Sequence, residues 1–124
     1  MTKAATLWSD YASGWQAMEE DERSKVVART VEQNVRYVTP YADANSSAAP
    51  EADMAAFQRR VPGGRFDLLG VSEHHNVAIL QWGLLQADGS MPATGYDVVE
   101  VSENGKLASI HTFAAIQPAD RPSR

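Results

Sequence analysis

The sequence predicts an α+β fold in which three helices pack on one face of a curved, mostly antiparallel sheet. Helical periodicity dominates the first half of the chain, and strand-like runs joined by hairpin signals fill the second half. Because helices followed by an antiparallel meander are typical of α+β domains, we predict the order α-α-β-α-β-β-β-β. Such a sheet and its helices form a cone, and the blind pocket of that cone is the first place to look for a site.

Three segments have the patterns of helices. The second is predicted to be capped by Asp21 and to run to about Gln33. The third is short, with Pro50 in its first turn, Phe57 on its apolar stripe and an end at Pro62. The first is amphipathic, with apolar side chains at steps of three and four residues: Leu7, Trp8, Tyr11, Trp15 and Met18.

Five segments have the patterns of strands. The first alternates through Val35, Tyr37 and Tyr41 and is ended or edged by Pro40, and residues 43–50 after it have the composition of a loop. The turns between the last three strands contain Asp-Gly and Asn-Gly pairs, at 88–89 and 104–105, which are the strongest short signals for two-residue hairpin loops. The last four strands are predicted at 66–73, 76–85, 92–101 and 107–115.

The first of these hairpins determines the surroundings of Asp97. A two-residue loop at 88–89 sets Asp97 opposite Leu80, with Val99 opposite Ala78 on the same face. A carboxyl group among apolar side chains loses solvation, so we expect a raised pKa and a proton that it can donate near neutral pH. The alternatives are a structural acid bound to a backbone amide or an arginine, or a one-residue slip that places Asp97 outside. The predicted face is apolar apart from this acid: Ala78, Leu80, Trp82, Leu84, Asp97, Val99 and Val101.

The second hairpin determines the place of His111. A two-residue loop at 104–105 pairs Asp97 with Thr112 and sends His111 outward beside Val98. A loop of three or five residues instead makes Asp97 and His111 face each other as an acid/base pair. Asn-Gly favours the two-residue loop, but both arrangements remain open from the sequence.

The predicted pocket lining combines aromatic and aliphatic side chains from both layers. The tyrosines among them either belong to the core or lend their hydroxyl groups to the pocket. No metal is expected at His74 and His75, because adjacent strand residues point to opposite faces of a sheet. The candidate binding residues are Tyr11, Trp15, Tyr37, Tyr41, Phe57, Leu80, Trp82 and Val99.

The composition excludes several classes of function. The 124 residues are enough for one domain, with a core at about 7–115 and a tail at 116–124. A net charge of −5 without a basic stripe argues against nucleic-acid binding, and the absence of cysteine excludes disulfides, thiolate nucleophiles and cysteine-ligated zinc. The N-terminus lacks the apolar core of a secretory signal and no run is long enough to span a membrane, so we expect a cytoplasmic protein.

Several short motifs follow the predicted elements in order: Val35-Arg36-Tyr37-Val38-Thr39-Pro40, Phe57-Gln58-Arg59-Arg60-Val61-Pro62-Gly63, His74-His75, Gln81-Trp82, Gly95-Tyr96-Asp97-Val98 and Asn104-Gly105-Lys106. From about Leu7 to Ala115, this arrangement resembles the SnoaL-like branch of the nuclear transport factor 2-like (NTF2-like) superfamily. The resemblance implies a cone-shaped α+β barrel. That superfamily contains ketosteroid isomerases, polyketide cyclases and epoxide hydrolases, together with many binding domains that have no known reaction.

The resemblance also implies roles for individual residues. Asp97 falls where ketosteroid isomerases keep the protonated acid that stabilises an enolate, and Tyr11 or Trp15 falls near their helical tyrosine. Their general base falls on Thr39, which cannot accept a proton in that role. The polyketide cyclases use a His and an Asp on the last two strands, and Asp97 and His111 hold similar places with the types exchanged.

Two hypotheses follow. The first is a bacterial, cytoplasmic homodimer that binds a small, largely apolar metabolite, with Asp97 as the acid of a cofactor-independent isomerisation or cyclisation through an enol. The second, favoured by Thr39, is a non-catalytic ligand-binding or association module. In either case we expect dimerisation through the outer face of the sheet, which carries Val77, Ile79, Leu85, Tyr96 and Val98.

Overall fold

A computed structural model of the chain describes residues 2–119 and has the predicted α+β architecture. Residues 120–124 of the predicted tail lie outside the described residues. The helices are α1 (Lys3–Ser13), α2 (Glu20–Thr30) and α3 (Ala48–Arg60). The strands are β1 (Val31–Thr39), β2 (Ala42–Ala44), β3 (Arg65–His74), β4 (Val77–Leu85), β5 (Ala93–Val101) and β6 (Leu107–Ala114). The order of the large elements is confirmed, and β2 is a short addition at the start of the predicted loop.

The first helix is shorter than its apolar periodicity predicts. It begins after Thr2, whose hydroxyl oxygen accepts a hydrogen bond from the backbone N–H of Ala5 at 3.1 Å. It ends at Ser13, and at its C-cap, Gly14, an added Cβ would lie only 2.8 Å from the Sδ of Met54. The chain turns at this close approach, and Trp15 therefore lies in the loop after the helix.

The second helix begins and ends earlier than predicted. Its N-cap is Glu19 and not Asp21, and the three acidic residues of its first turn favour the positive end of the helix dipole. It ends at Thr30 because Val31 is already extended and buried as the first residue of β1. The prediction of a helix to Gln33 is wrong for this reason.

The sheet has six strands in the order β2-β1-β6-β5-β4-β3. Only β1 and β6 pair in parallel among the described residues, and the other neighbours are antiparallel. Helix α1 packs against β3, β4 and α2, while α2 and α3 pack against each other and against β1. The core between helices and sheet is apolar, and its largest fully buried side chains include Tyr11, Tyr37, Met54, Leu80 and Ile110.

The register between β4 and β5 is as predicted, although the loop that joins them is not. Asp97 lies opposite Leu80, and Val99 lies opposite Ala78. The N–H of Gln86 donates to the carbonyl of Ser90 at 2.9 Å, so the loop has three residues, 87–89, and ends in a glycine with φ +89°. One additional residue between Ser90 and β5 restores the predicted pairing.

A β-bulge makes the same correction between β5 and β6. The N–H of Ser102 donates to the carbonyl of Lys106 at 2.7 Å, which gives another three-residue loop where two residues were predicted. Glu100 nevertheless pairs with Ser109 while Val101 pairs with Leu107, so that the residue between those two partners bulges out. The bulge cancels the extra loop residue and sets Asp97 opposite Thr112.

No helix within residues 2–119 is long and apolar enough to cross a membrane.

Candidate functional site

A cavity of about 800 Å³ lies between the helices and the inner face of the sheet. This volume is typical of small-molecule sites. Asp97 lines it, together with six of the predicted binding residues: Tyr11, Trp15, Tyr37, Tyr41, Phe57 and Trp82. Edge-to-face contacts join Trp15 to Phe57 and Trp82 to Phe66, so the aromatic wall is packed into a fixed shape.

Asp97 is 5% exposed and accepts three side-chain hydrogen bonds. The indole N–H of Trp8 donates to Oδ2 at 2.8 Å, while the indole N–H of Trp82 and the hydroxyl of Thr112 donate to Oδ1 at 3.3 and 2.8 Å. The sequence left open that Asp97 is a structural acid bound to a backbone amide or an arginine, and its partners are instead two indoles and a hydroxyl group. A carboxylate can accept about four hydrogen bonds, which leaves Oδ2 able to accept one more.

Two opposing effects act on the pKa of Asp97. Burial raises it above its ordinary value, because the charged form loses its solvation. The hydrogen bonds from Trp8, Thr112 and Trp82 lower it, because they stabilise the carboxylate. The effect of burial is the larger, so the pKa of Asp97 is raised, in the direction that the sequence predicts. A cavity carboxyl group balanced in this way is suited to gaining and losing a proton.

Tyr11 supplies a hydroxyl group beside this acid. The side chain is 2% exposed, and burial, together with the charge of Asp97, raises the pKa of Tyr11 well above its ordinary value. The phenol therefore stays protonated. A side-chain interaction with Trp15 opposes the rise, but an indole N–H cannot accept a hydrogen bond. Within residues 2–119 the hydroxyl of Tyr11 donates to no acceptor, and so it remains available to a molecule in the cavity.

A second carboxyl group lines the cavity and was missed by sequence reasoning. Asp53 of α3 is half-buried, and the hydroxyl of Tyr37 donates to its Oδ2 at 2.8 Å. Asp53, Phe57 and Arg60 are spaced i, i+4 and i+7 and all three line the cavity. That spacing was the available signal, although it did not reveal which face of α3 turns inward.

His111 does not belong to the site, and its prediction as a catalytic partner of Asp97 is wrong. It lies opposite Val98 on β5 and beside Val38 on β1, on the face of the sheet that points away from the helices. The bulge in β6 is the cause, since it brings Thr112 to the position facing Asp97.

Two of the predicted binding residues, Leu80 and Val99, do not line the cavity either. Both are on the predicted inner face but are almost completely buried, because core side chains fill the closed end of the cone. Tyr41 lies at the opposite extreme: it is 97% exposed and contributes to the cavity only at its rim. Trp8 and Thr112, which hold Asp97, were not among the predicted binding residues.

The two other candidate features do not converge on this cavity. An open groove of about 1070 Å³ is lined by polar and charged residues such as Glu19, Arg23 and Gln58, and it does not include Asp97. The Nδ1 atoms of His74 and His75 lie 3.1 Å apart, because His75 is in the exposed turn after β3 with φ +53° rather than in a strand. No three His, Asp or Glu side chains within residues 2–119 are grouped to hold a metal ion.

The sequence matches no protein-family model and no curated protein significantly. Its structure is similar to that of a SnoaL-like family protein from Agrobacterium tumefaciens that has been proposed to be an isomerase. The two sequences are 28% identical, the TM-score is 0.84, and the match covers 93% of this chain and 99% of that chain.

Two more distant structures share the fold. A protein from Jannaschia, proposed to be a SnoaL-like polyketide cyclase, is 15% identical with a TM-score of 0.72, and the match covers 90% of this chain and 83% of that chain. An NTF2-like protein of unknown function from Exiguobacterium is 14% identical with a TM-score of 0.71, with 90% and 99% covered. Three helices on a six-stranded curved sheet, and a nearly complete match to a SnoaL-like structure, lead to one conclusion: this chain belongs to the SnoaL/NTF2-like superfamily.

Proposed function

We propose that this protein binds a small, largely apolar metabolite in the cone cavity and transfers a proton to it in an isomerisation or cyclisation. The reaction proceeds through an enol and needs no cofactor. Asp97 is the acid, and Tyr11 is a second hydrogen-bond donor. The observation that carries this proposal is a single buried carboxyl group held by two indoles and a threonine on the wall of an aromatic cavity.

The proposed chemistry uses two hydrogen-bond donors, the protonated carboxyl group of Asp97 and the phenol of Tyr11. Protonated Asp97 donates a hydrogen bond, or the proton itself, to a carbonyl oxygen as a proton leaves the adjacent carbon. The hydroxyl of Tyr11 donates to the same oxygen and stabilises the charge that develops on it. Both groups act in a site screened from water, where such interactions are stronger than in solution. The aromatic walls favour a ligand with flat or bulky apolar rings.

A thermal-shift screen tests the proposal directly. Steroids, aromatic polyketides, terpenoids and fatty acids are added to the unmodified protein, to Asp97→Asn and to Glu103→Gln, a control in the exposed loop before β6. A ligand present at 100 times its Kd adds about 2.7 kcal/mol to the free energy of unfolding. We expect at least one class to raise the Tm of the protein and of Glu103→Gln, and to raise that of Asp97→Asn less. A shift of equal size in all three proteins would contradict the role of Asp97.

The second candidate is a non-catalytic association module, and the outer face of the sheet favours it. Ile79 is 47% exposed and Phe113 is 54% exposed, and His111 and Val98 lie between them on the same face. Thr39 also stands where the related isomerases keep their base. This face is our proposed homodimer interface, and dimerisation is compatible with either candidate. Localisation in the cytoplasm of a bacterium stays a prediction.

A further inference from the structure

The cavity contains a second carboxyl group on the wall that faces the sheet. Asp53 comes from α3, whereas Asp97 comes from β5, and both line the same cavity. Burial and the charges of both acids raise the pKa of the Tyr11 hydroxyl, which lines the same cavity as the two carboxyl groups. The hydroxyl of Tyr37 lines the cavity too and donates to Asp53, and its pKa is raised by burial and, to a smaller extent, by both acids.

One oxygen of Asp53 is free. Its Oδ2 accepts the hydrogen bond from Tyr37, and its Oδ1 has no hydrogen-bond partner within residues 2–119. Arg60 lines the same cavity, yet none of the ion pairs among these residues involves Asp53. A carboxylate that is positioned by one donor, and is neither neutralised nor saturated, keeps a lone pair for a bound molecule.

The two carboxyl groups have different surroundings, as the general acid and the general base of an active site commonly do. Asp97 is almost completely buried, and burial raises its pKa. Asp53 is half-buried, and its Oδ2 accepts a hydrogen bond from the Tyr37 hydroxyl. Pairs of titratable groups in contrasting environments are typical acid and base partners. The charged and titratable groups that line the cavity together with Asp53 are Tyr11, Tyr37, Asp97, Arg60 and Tyr41.

We propose that Asp53 is the catalytic base of this cavity and that Tyr37 is its positioning residue. This inference rests on the proposed function and supplies the base that Thr39 cannot provide. The carboxylate of Asp53 takes a proton from a carbon next to a carbonyl group, and the C–H electron pair forms the C=C bond of an enol while Asp97 protonates the oxygen. The proton on Asp53 then goes to the far carbon of a C=C bond conjugated with the enol, while the enol O–H returns its proton to Asp97, which completes the isomerisation and restores both carboxyl groups. The substrate is therefore an apolar ketone or related carbonyl compound whose acidic C–H carbon lies between the carbonyl group and a C=C bond.

The test uses a probe that requires only a base in an apolar cavity. In 5-nitrobenzisoxazole, removal of the proton on carbon 3 breaks the N–O bond and releases 2-cyano-4-nitrophenolate, which absorbs visible light. No other reactant takes part. The assay compares the unmodified protein with Asp53→Asn, Tyr37→Phe and Glu51→Gln. Glu51 is a matched control, because it lies two residues before Asp53 on α3 and lines the separate polar groove.

We expect Asp53→Asn to lower kcat/KM for the elimination by about 100-fold, the scale of a general base. Glu51→Gln should remain within twofold of the unmodified protein. Tyr37→Phe should lower kcat for the elimination and leave KM unchanged, because it removes the hydrogen bond that positions the Asp53 carboxyl group. A purely structural role of Tyr37 would change the stability and leave kcat of the folded protein in place, so the kcat of Tyr37→Phe tests the proposal even if Asp53→Asn fails to fold.

Binding of 2-naphthol, followed by its fluorescence, separates this inference from the proposed function. If naphthol binds but the unmodified protein does not accelerate the elimination, Asp53 is not a base and the ligand-binding proposal stands. An elimination that Asp53→Asn does not slow, or a kcat that Tyr37→Phe does not lower, would also overturn the role of Asp53. If neither naphthol nor any ligand of the thermal-shift screen binds, both proposals fail.

Discussion

At the scale of the residue, Asp97 connects the sequence to the proposed chemistry. Its apolar surroundings were predictable, because alternation along β4 and β5 places Leu80 and Val99 on the same face. Its partners were not, since the indole of Trp8 arrives from a helix 89 positions away in the chain. Asp53 was missed for the same reason: its role depends on which wall of the cavity α3 forms. The alternation of residues along the strands thus identified Asp97 as an acid on an apolar face, and only the tertiary packing identified the side chains that bind it.

The raised pKa of Asp97 predicts how stability depends on pH. An unfolded aspartate titrates near pH 3.9, and the folded state holds the Asp97 proton more tightly than this. The contribution of Asp97 to the free energy of unfolding is therefore fully present below about pH 4 and declines as the pH rises towards the folded pKa. Urea unfolding at several pH values should show the unmodified protein losing stability relative to Asp97→Asn across that interval. A relative gain with rising pH would mean that the folded pKa is lowered.

At the scale of the element, the registers were more predictable than the loops. Both hairpins have three-residue loops where Asp-Gly and Asn-Gly favoured two, and an extra residue in the neighbouring strand compensates each time. In β6 the reason is that Leu107 and Ile110 are both completely buried although they are three residues apart. Strict alternation would expose one of them, so the strand bulges between them. The apolar pattern therefore determines the register and the loop adapts to it.

This account of β6 predicts a large cost for truncating Ile110. Ile110→Ala should lower the free energy of unfolding by about 2–5 kcal/mol, because it leaves a cavity in the core. The neighbouring Ser109→Ala, on the outer face, should cost less than about 0.5 kcal/mol. Urea denaturation measures both. In the slipped register that pairs Asp97 with His111, Ile110 would lie outside, and a cost below about 1 kcal/mol would support that register instead.

At the scale of the whole molecule, helices cover only one face of the sheet. The fold class and the element order followed from periodicity, because long amphipathic helices and hairpin-forming strands have distinct patterns. The apolar outer face, on which Ile79 is about half exposed, followed from the same alternation, and the structure adds Phe113 to it. The shape of the cavity did not, since core side chains fill one end of the cone and leave Leu80 without contact to the open space.

The exposed outer face predicts a homodimer. Light scattering at micromolar concentration should give twice the mass of the monomer. Ile79→Lys and Phe113→Lys should each reduce it to the monomer mass, because a buried unpaired charge costs several kcal/mol. Arg65→Lys, at the exposed start of β3, serves as a control and should leave the dimer intact. A monomer for the unmodified protein would remove the association proposal without affecting the cavity.

The central claim is that Asp97 lies in a cavity that binds a ligand, and its indole partners allow a direct measurement. The sequence has three tryptophans, so a ¹⁵N spectrum shows three indole N–H signals, two of which belong to donors that bind Asp97. We predict that the signals of Trp8 and Trp82 shift together with one pH midpoint above that of an ordinary aspartate. Saturating 2-naphthol should shift both signals and move that midpoint. Signals that do not respond to pH or to the ligand would contradict the claim.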